Sequence, residues 1–152
     1  MCYFMDYDNQ LVQTGKLSDI GEKLTTNIKS SYRSGVELTG GVEPVEWLDI
    51  YCNAAISSNK IKNYDEVVED WDDESGERVI HYDESTLAFS PSTILNGFVT
   101  FHKKGLSATW HTNFVSRQYL DNTESKSRSL PEYSQSDFSV NYSFNLNHSV
   151  MH

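Results

Sequence analysis

In DFSVNYSFNL, residues 137–146, the apolar Phe138, Val140, Tyr142, Phe144 and Leu146 alternate with Ser139, Asn141, Ser143 and Asn145. Successive side chains of an extended strand point to opposite faces, so this stretch predicts a strand with one apolar and one polar side. The rule recurs along the chain. In residues 106–115, Ala108, Trp110, Thr112 and Phe114 oppose Ser107, Thr109, His111 and Asn113. In residues 47–57, Leu48, Ile50, Cys52, Ala54 and Ile56 oppose Asp49, Tyr51, Asn53 and Ser57. Residues 32–42 set Val36, Leu38 and Val42 against Glu37 and Thr39, and residues 2–12 set Tyr3, Met5, Tyr7 and Leu11 against Phe4, Asp6, Asp8 and Gln10. Residues 93–101 are less regular, with Leu95, Val99 and Phe101 on one side but Ile94 and Phe98 on the other. Helical periodicity is scarce, and DIGEKLTTNIK (residues 19–29) is the best candidate for a short helix. The expectation is an all-β, antiparallel up-and-down meander of about six strands.

The connections narrow this further. EPVE (43–46) and HKKG (102–105) read as tight turns, whereas residues 14–31, 58–92 and 119–135 read as long polar connections. Short turns at one end and long loops at the other, joining strands of about ten residues, match the layout of a transmembrane β-barrel. Backbone polar groups find no water in hydrocarbon, so only helices and closed sheets cross it. The polar sides carry Ser, Asn, Thr, Asp and His, which suit a wet lumen. A soluble antiparallel sheet shows the same alternation and stays the competing reading. Single-chain barrels begin at about eight strands. Six strands therefore predict a partial barrel, a fragment with two edges that need partners.

Composition excludes other classes. The net charge of −10 repels phosphate backbones, so no nucleic-acid partner is expected. Cys2 and Cys52 have neither CxxC nor metal-type spacing and fall on the first and third strands, so two free thiols are expected. MCYFMDYDNQ has no basic and apolar leader pattern, and no apolar run reaches the length of a membrane-spanning helix. There is no nucleophile elbow, acid–base pair or phosphate loop, so no enzyme, no cofactor and no metal centre are expected.

The run SPSTILNGFVTFHKKGLSATWHTNFVSRQYLDNT (90–123), followed by SLPEYSQSDFSVNYSF (129–144), resembles the late barrel strands of TonB-dependent outer-membrane receptors of Bacteroidetes type. FMDYDNQLVQTGKLSDIGE (4–22) and SYRSGVELTGGVEPVEWLDIYCNAAISSNKIKNYDEVVEDW (31–71) fit the same family. The resemblance implies a plugged barrel of about 22 strands that takes up scarce nutrients such as ferric siderophore, haem, cobalamin or glycans. Its implied partners are the rest of its own barrel and plug, TonB acting through that plug, the lipid bilayer and a small nutrient ligand. The implied location is the bacterial outer membrane. Residues 1–152 are expected to be a late-barrel segment, with plug and signal peptide outside the chain.

Several residues are singled out on this reading. His111, Asn113 and Arg117, with Glu37 and Asp49, are candidates to face the lumen, with a plain hydrogen-bond network as the bland alternative. Asp70, Asp72, Asp73 and Glu74, in the acidic run YDEVVEDWDDESGE (64–77), are outer-loop candidates. Their bland reading is a solvated loop, and the sharper one is a calcium or cationic-ligand site. Trp47, Phe101 and Phe114 are aromatic-girdle candidates, the first two near the short turns and Phe114 towards the outer end, with Trp110 between. The alternative to a receptor segment is a stand-alone soluble β-sheet module that binds a small ligand or carbohydrate through its long loops.

Overall fold

The computed structural model describes residues 1–17, 20–69 and 77–144. The main strands are β1 (Cys2–Leu17), β2 (Lys23–Val45), β3 (Leu48–Glu69), β4 (Glu77–Thr86), β5 (Thr93–Lys103) and β6 (Leu106–Val115). Two-residue strands β7 (Gln118–Tyr119) and β8 (Ser129–Leu130) flank a 3-10 turn at Lys126–Arg128, and β9 (Tyr133–Tyr142) follows. The sheet order is β1-β2-β3-β5-β6-β9, every pairing is antiparallel, and β4 pairs with the upper half of β3. This is the expected all-β up-and-down architecture. The sheet is open, with β1 and β9 as its edges among the described residues.

The tight turns fall at one end. Lys104 and Gly105 have φ of 46° and 83°, the left-handed pair that a two-residue hairpin needs to follow strand twist. A Cβ on Gly105 would strike the Ser143 carbonyl. The opposite end differs from expectation. Residues 20–29 do not form a helix, because β2 already begins at Lys23. Val12 faces Thr26 and Gln10 faces Ile28 there, so cross-strand pairing of β-branched residues overrides a weak helical period. Most of residues 14–31 and 58–92 are likewise strand, because β3 runs 22 residues and β4 pairs with its second half. The Tyr64-to-Glu69 part of the acidic run therefore lies in a strand, while Asp70, Asp72, Asp73 and Glu74 lie outside the described residues.

Alternation is not kept over these long strands. Ile61, Tyr64 and Glu66 are all buried on β3, and Ile28 and Ser31 on β2. These spacings of three require a reversal of side. Asn63 supplies it on β3 with φ of 51°, and Asn9 makes the matching break on β1 with φ of 55°. Asparagine tolerates the left-handed region better than most residues. Both reversals sit at the same height, since Asp8–Gln10 faces Ser30–Ile28 and Ser30 faces Lys62. Tyr7 and Val12 therefore end up on one side, contrary to the grouping of Leu11 with Tyr7.

The core sits above that line. Val12, Ile28, Ile61, Tyr64 and Leu87 form the buried apolar cluster, with Tyr82 against it. Below the line the described residues form no covering layer, and Leu38, Trp110 and Phe138 are 60%, 54% and 70% exposed.

Candidate functional site

Register turns the alternation of single strands into two continuous faces. On the first, Val42, Ile50, Val99, Trp110 and Phe138 stand in one transverse row. The row above is small or weakly polar, Gly40, Cys52, Gly97, Thr112 and Ser136; Leu38, Ala54, Leu95 and Phe114 form the row beyond it, and Leu48, Phe101, Ala108 and Val140 the row below. Each neighbouring pair contributes a few tenths to about 1 kcal/mol, which holds register but buries little. Trp47 packs on Phe101 at 5.4 Å between ring centroids, beside the tight turns, whereas Phe114 stands at the far end of β6 and Trp110 between them. On β3 this band runs from Leu48 to Ile56, about 25–30 Å along the strand. Above it the same face turns charged. Lys60 meets Glu124 at 2.9 Å and Glu84 at 4.0 Å, and the Lys62 ammonium lies 5.3 Å from the Tyr32 ring centroid.

The second face is polar and internally bonded. Thr39, Asn53, Asn96, Asn113 and Gln135 share one row. Asn96 Nδ2 donates to Asn53 Oδ1 at 2.9 Å, and Asn113 Nδ2 donates to Asn96 Oδ1 at 2.8 Å. The next row towards the turns is Tyr51, Phe98, His111 and Asp137. His111 stacks on Phe98 at 4.3 Å, with Nε2 3.4 Å from Asn96 Oδ1 and Nδ1 3.6 Å from Asp137. Below that, Asp49 pairs with His102 at 2.7 Å, and the Thr100 and Thr109 hydroxyls meet at 3.1 Å.

His111 and Asn113 are therefore brought together through Asn96. Asp49 lies on the same face with His102 as partner, and Glu37, also there, bonds Met1 through its backbone. Arg117 does not join them: β6 ends at Val115, and the guanidinium turns to Ser129 Oγ at 2.9 Å and Glu132 at 3.5 Å. Asn53 and Phe98 stand on the side that alternation gives them and Asn96 joins them by register, but none of the three is among the lumen-facing candidates of the sequence. Phe98 had signalled itself by breaking the alternation of its strand.

A third arrangement sits at the outer end, where residues 119–135 read from sequence as a long polar connection. Instead Asp121 and Asn122 are 3% and 0% exposed. Asn122 accepts from Ala88 N–H at 2.8 Å through Oδ1 and from Ser85 Oγ through its carbonyl. Arg128 bridges Asp121 at 2.9 Å and Glu66 at 3.2 Å, and Tyr82 donates its hydroxyl to Glu66 at 3.1 Å. Burial first, and the Glu66 charge with it, hold the Tyr64 and Tyr82 phenols above the usual range, so both stay neutral. Glu124 Oε1 accepts from Thr86 N–H at 2.7 Å, from the Thr86 hydroxyl and from Lys60. Burial alone would push this carboxyl up, but those bonds outweigh it and hold it below the ordinary glutamate range. The residues 116–132 thus form a clasp over β4 and the inner side of β3.

Outside the clasp, His81 bonds Asp65 at 2.5 Å, which with Asp83 raises its imidazole above the ordinary range. No group of three or more His, Cys, Asp or Glu is placed to hold a metal among the described residues. Cys2 and Cys52 are both free and exposed. No protein-family model matches this chain, and no curated protein matches it.

Proposed function

We propose that this chain is part of the wall of an outer-membrane TonB-dependent receptor, which carries a scarce nutrient such as ferric siderophore, haem or cobalamin inward. The observation that carries the reading is the pair of faces. One is largely apolar across β2, β3, β5 and β6 over roughly the height of a hydrocarbon layer, interrupted by Thr112 and Ser136, and is covered by none of the described residues. The other is a hydrogen-bonded amide and hydroxyl surface suited to a wet, plugged lumen. The change from apolar to charged side chains at Lys60 and Lys62 supports a membrane boundary at that height. The resemblance of residues 90–144 to late receptor strands supplies the family. On this reading the open edges β1 and β9 pair with other strands of the barrel, and TonB acts through the plug. The Asn53–Asn96–Asn113 ladder faces the plug, and Trp47 and Phe101 sit at the inner aromatic girdle.

Fractionation of the source cells with an antibody against this chain tests the proposal. The antigen should sediment with the outer membrane, and disrupting the gene should impair growth when ferric siderophore, haem or cobalamin is the limiting source. Recovery in the soluble fraction, with growth unchanged on all three, would overturn it.

A further inference from the structure

Arg33 stands apart from the other charges of this acidic chain. It lies on the inner face, where β2 pairs Arg33 with Met5 on one side and Asn59 on the other. Its Nε is buried and has no hydrogen-bond partner among the described residues. What holds the side chain is Tyr7, whose ring centroid lies 5.6 Å from the guanidinium carbon. A guanidinium fixed by stacking, rather than by a carboxylate, keeps its planar fork of donors for something else.

That fork borders a hollow of about 200 Å³, lined by Arg33, Gln10, Val12, Leu87, Phe89 and Asn122. The lining is divided. Val12 and Leu87 belong to the buried apolar cluster, and Phe89 offers a ring that is 44% exposed. Phe89 has φ of 55°, which a bulky residue rarely adopts, and its N–H is fixed on the Tyr119 carbonyl at 2.8 Å. Gln10, also in the lining, accepts from the Ser31 hydroxyl through Oε1 at 2.5 Å, which leaves its amide nitrogen as the group with donors to give. No carboxylate lines the hollow among the described residues, and the buried Glu66 and Asp121 are both engaged by Arg128. The hollow therefore presents cationic and amide donors on one side and apolar carbon on the other.

We infer that this hollow is a binding site for a small organic carboxylate, with Arg33 pairing the carboxylate and Phe89, Val12 and Leu87 packing its apolar body. A carboxylate presents two acceptors in the plane of the guanidinium fork. An apolar body with one anionic end fits the divided lining better than an inorganic anion or a fully polar acid does. The inference deepens the receptor reading, because it gives the outer end of the inner face an anionic ligand class.

Titration calorimetry of the whole chain in detergent micelles tests it, with benzoate as probe and benzamide as its uncharged counterpart. Benzoate should bind saturably and benzamide at least tenfold more weakly. Arg33→Gln should weaken benzoate at least tenfold and leave benzamide unmoved, and Arg33→Lys should restore part of the loss. Amide exchange across β2 and β3 serves as the check that the variants keep their fold. Equal affinity for benzoate in the native chain and folded Arg33→Gln, or equal affinity for benzoate and benzamide, would overturn the site. The two readings fail separately. Benzoate binding that depends on Arg33 in a chain that stays monomeric in plain buffer would keep the site and remove the membrane. Insertion into lipid with binding indifferent to Arg33 would do the reverse.

Discussion

The outer end and the body of this sheet are built on opposite principles. At the outer end, long strands and the clasp enclose Ile61 at 0% exposure, Ile28 at 4% and Val12 at 6%, with buried Glu66, Asp121 and Asn122 satisfied around them. That is the construction of a protein in water, with apolar groups inside and buried polar groups paired. In the body, the apolar side chains of one face are covered by none of the described residues, and the polar side chains of the other bond to one another. The difference teaches where stability comes from. The outer end carries its own core, whereas the body depends on an apolar medium and on partner strands.

The first way to break this comparison is to empty the core. Ile61→Ala should cost about 2–5 kcal/mol, because a fully enclosed side chain leaves a cavity. Hydrogen exchange should show loss of protection across the paired halves of β3 and β4, with β5 and β6 unaffected. The second places one charge on each face of the body. Val99→Arg should cost about 2–4 kcal/mol in lipid vesicles, the range for a cation near the middle of the bilayer. Thr100→Arg, one residue along, should cost under about 1 kcal/mol, since it forfeits mainly one hydroxyl hydrogen bond. Equal costs in lipid would erase the distinction between the faces.

Arg128→Ala sharpens the outer end. It leaves two buried carboxylates without their shared cation, but the guanidinium is itself half-exposed, so a loss of about 1–3 kcal/mol is expected from denaturant unfolding. Asn96→Ala cuts the centre of the amide ladder and should cost about 1 kcal/mol, with Asn53 and Asn113 both losing a partner. The smallest effect is one of pH. Glu124 is held below its ordinary range, so the clasp contribution is complete above that range and fades as pH falls through its folded value. His81 is held above its range, so its contribution is complete below the ordinary histidine range and fades as pH rises through its folded value. The amide protection of Thr86, a donor to Glu124, should therefore fall on acidification, and Glu124→Gln should remove that response.

The same division decides how much the sequence reveals. In the body, one period governs every residue, so the faces of residues 47–57 and 106–115 follow from alternation alone; the turn at Lys104–Gly105 is legible within His102 to Gly105, whereas the other falls at Glu46–Trp47, past most of the expected Glu43 to Glu46, because β2 continues to Val45. At the outer end the information is long-range. Nothing near Glu66 announces Arg128, 62 residues away, and nothing near Ser85 announces Asn122. ERVIHYDEST looks like a polar loop, yet it becomes β4 because β3 continues beyond the body and offers it an edge. Asn9 and Asn63 defeat alternation by a backbone angle that their residue type permits but does not demand. Arg33 looks like any strand arginine until the hollow beside it is seen. Register does the opposite service in the body, where Asn53, Asn96 and Asn113 become one surface only after three strands are aligned.

The central claim is that Trp110 and its row face lipid. Fluorescence of a variant that keeps Trp110, with Trp47→Phe and Trp71→Phe, tests it most directly in phosphatidylcholine vesicles whose acyl chains carry bromine. Strong quenching by the brominated chains with little quenching by aqueous iodide is the predicted result. Quenching by iodide alone, in a chain whose β5–β6 amides remain protected, would contradict the account.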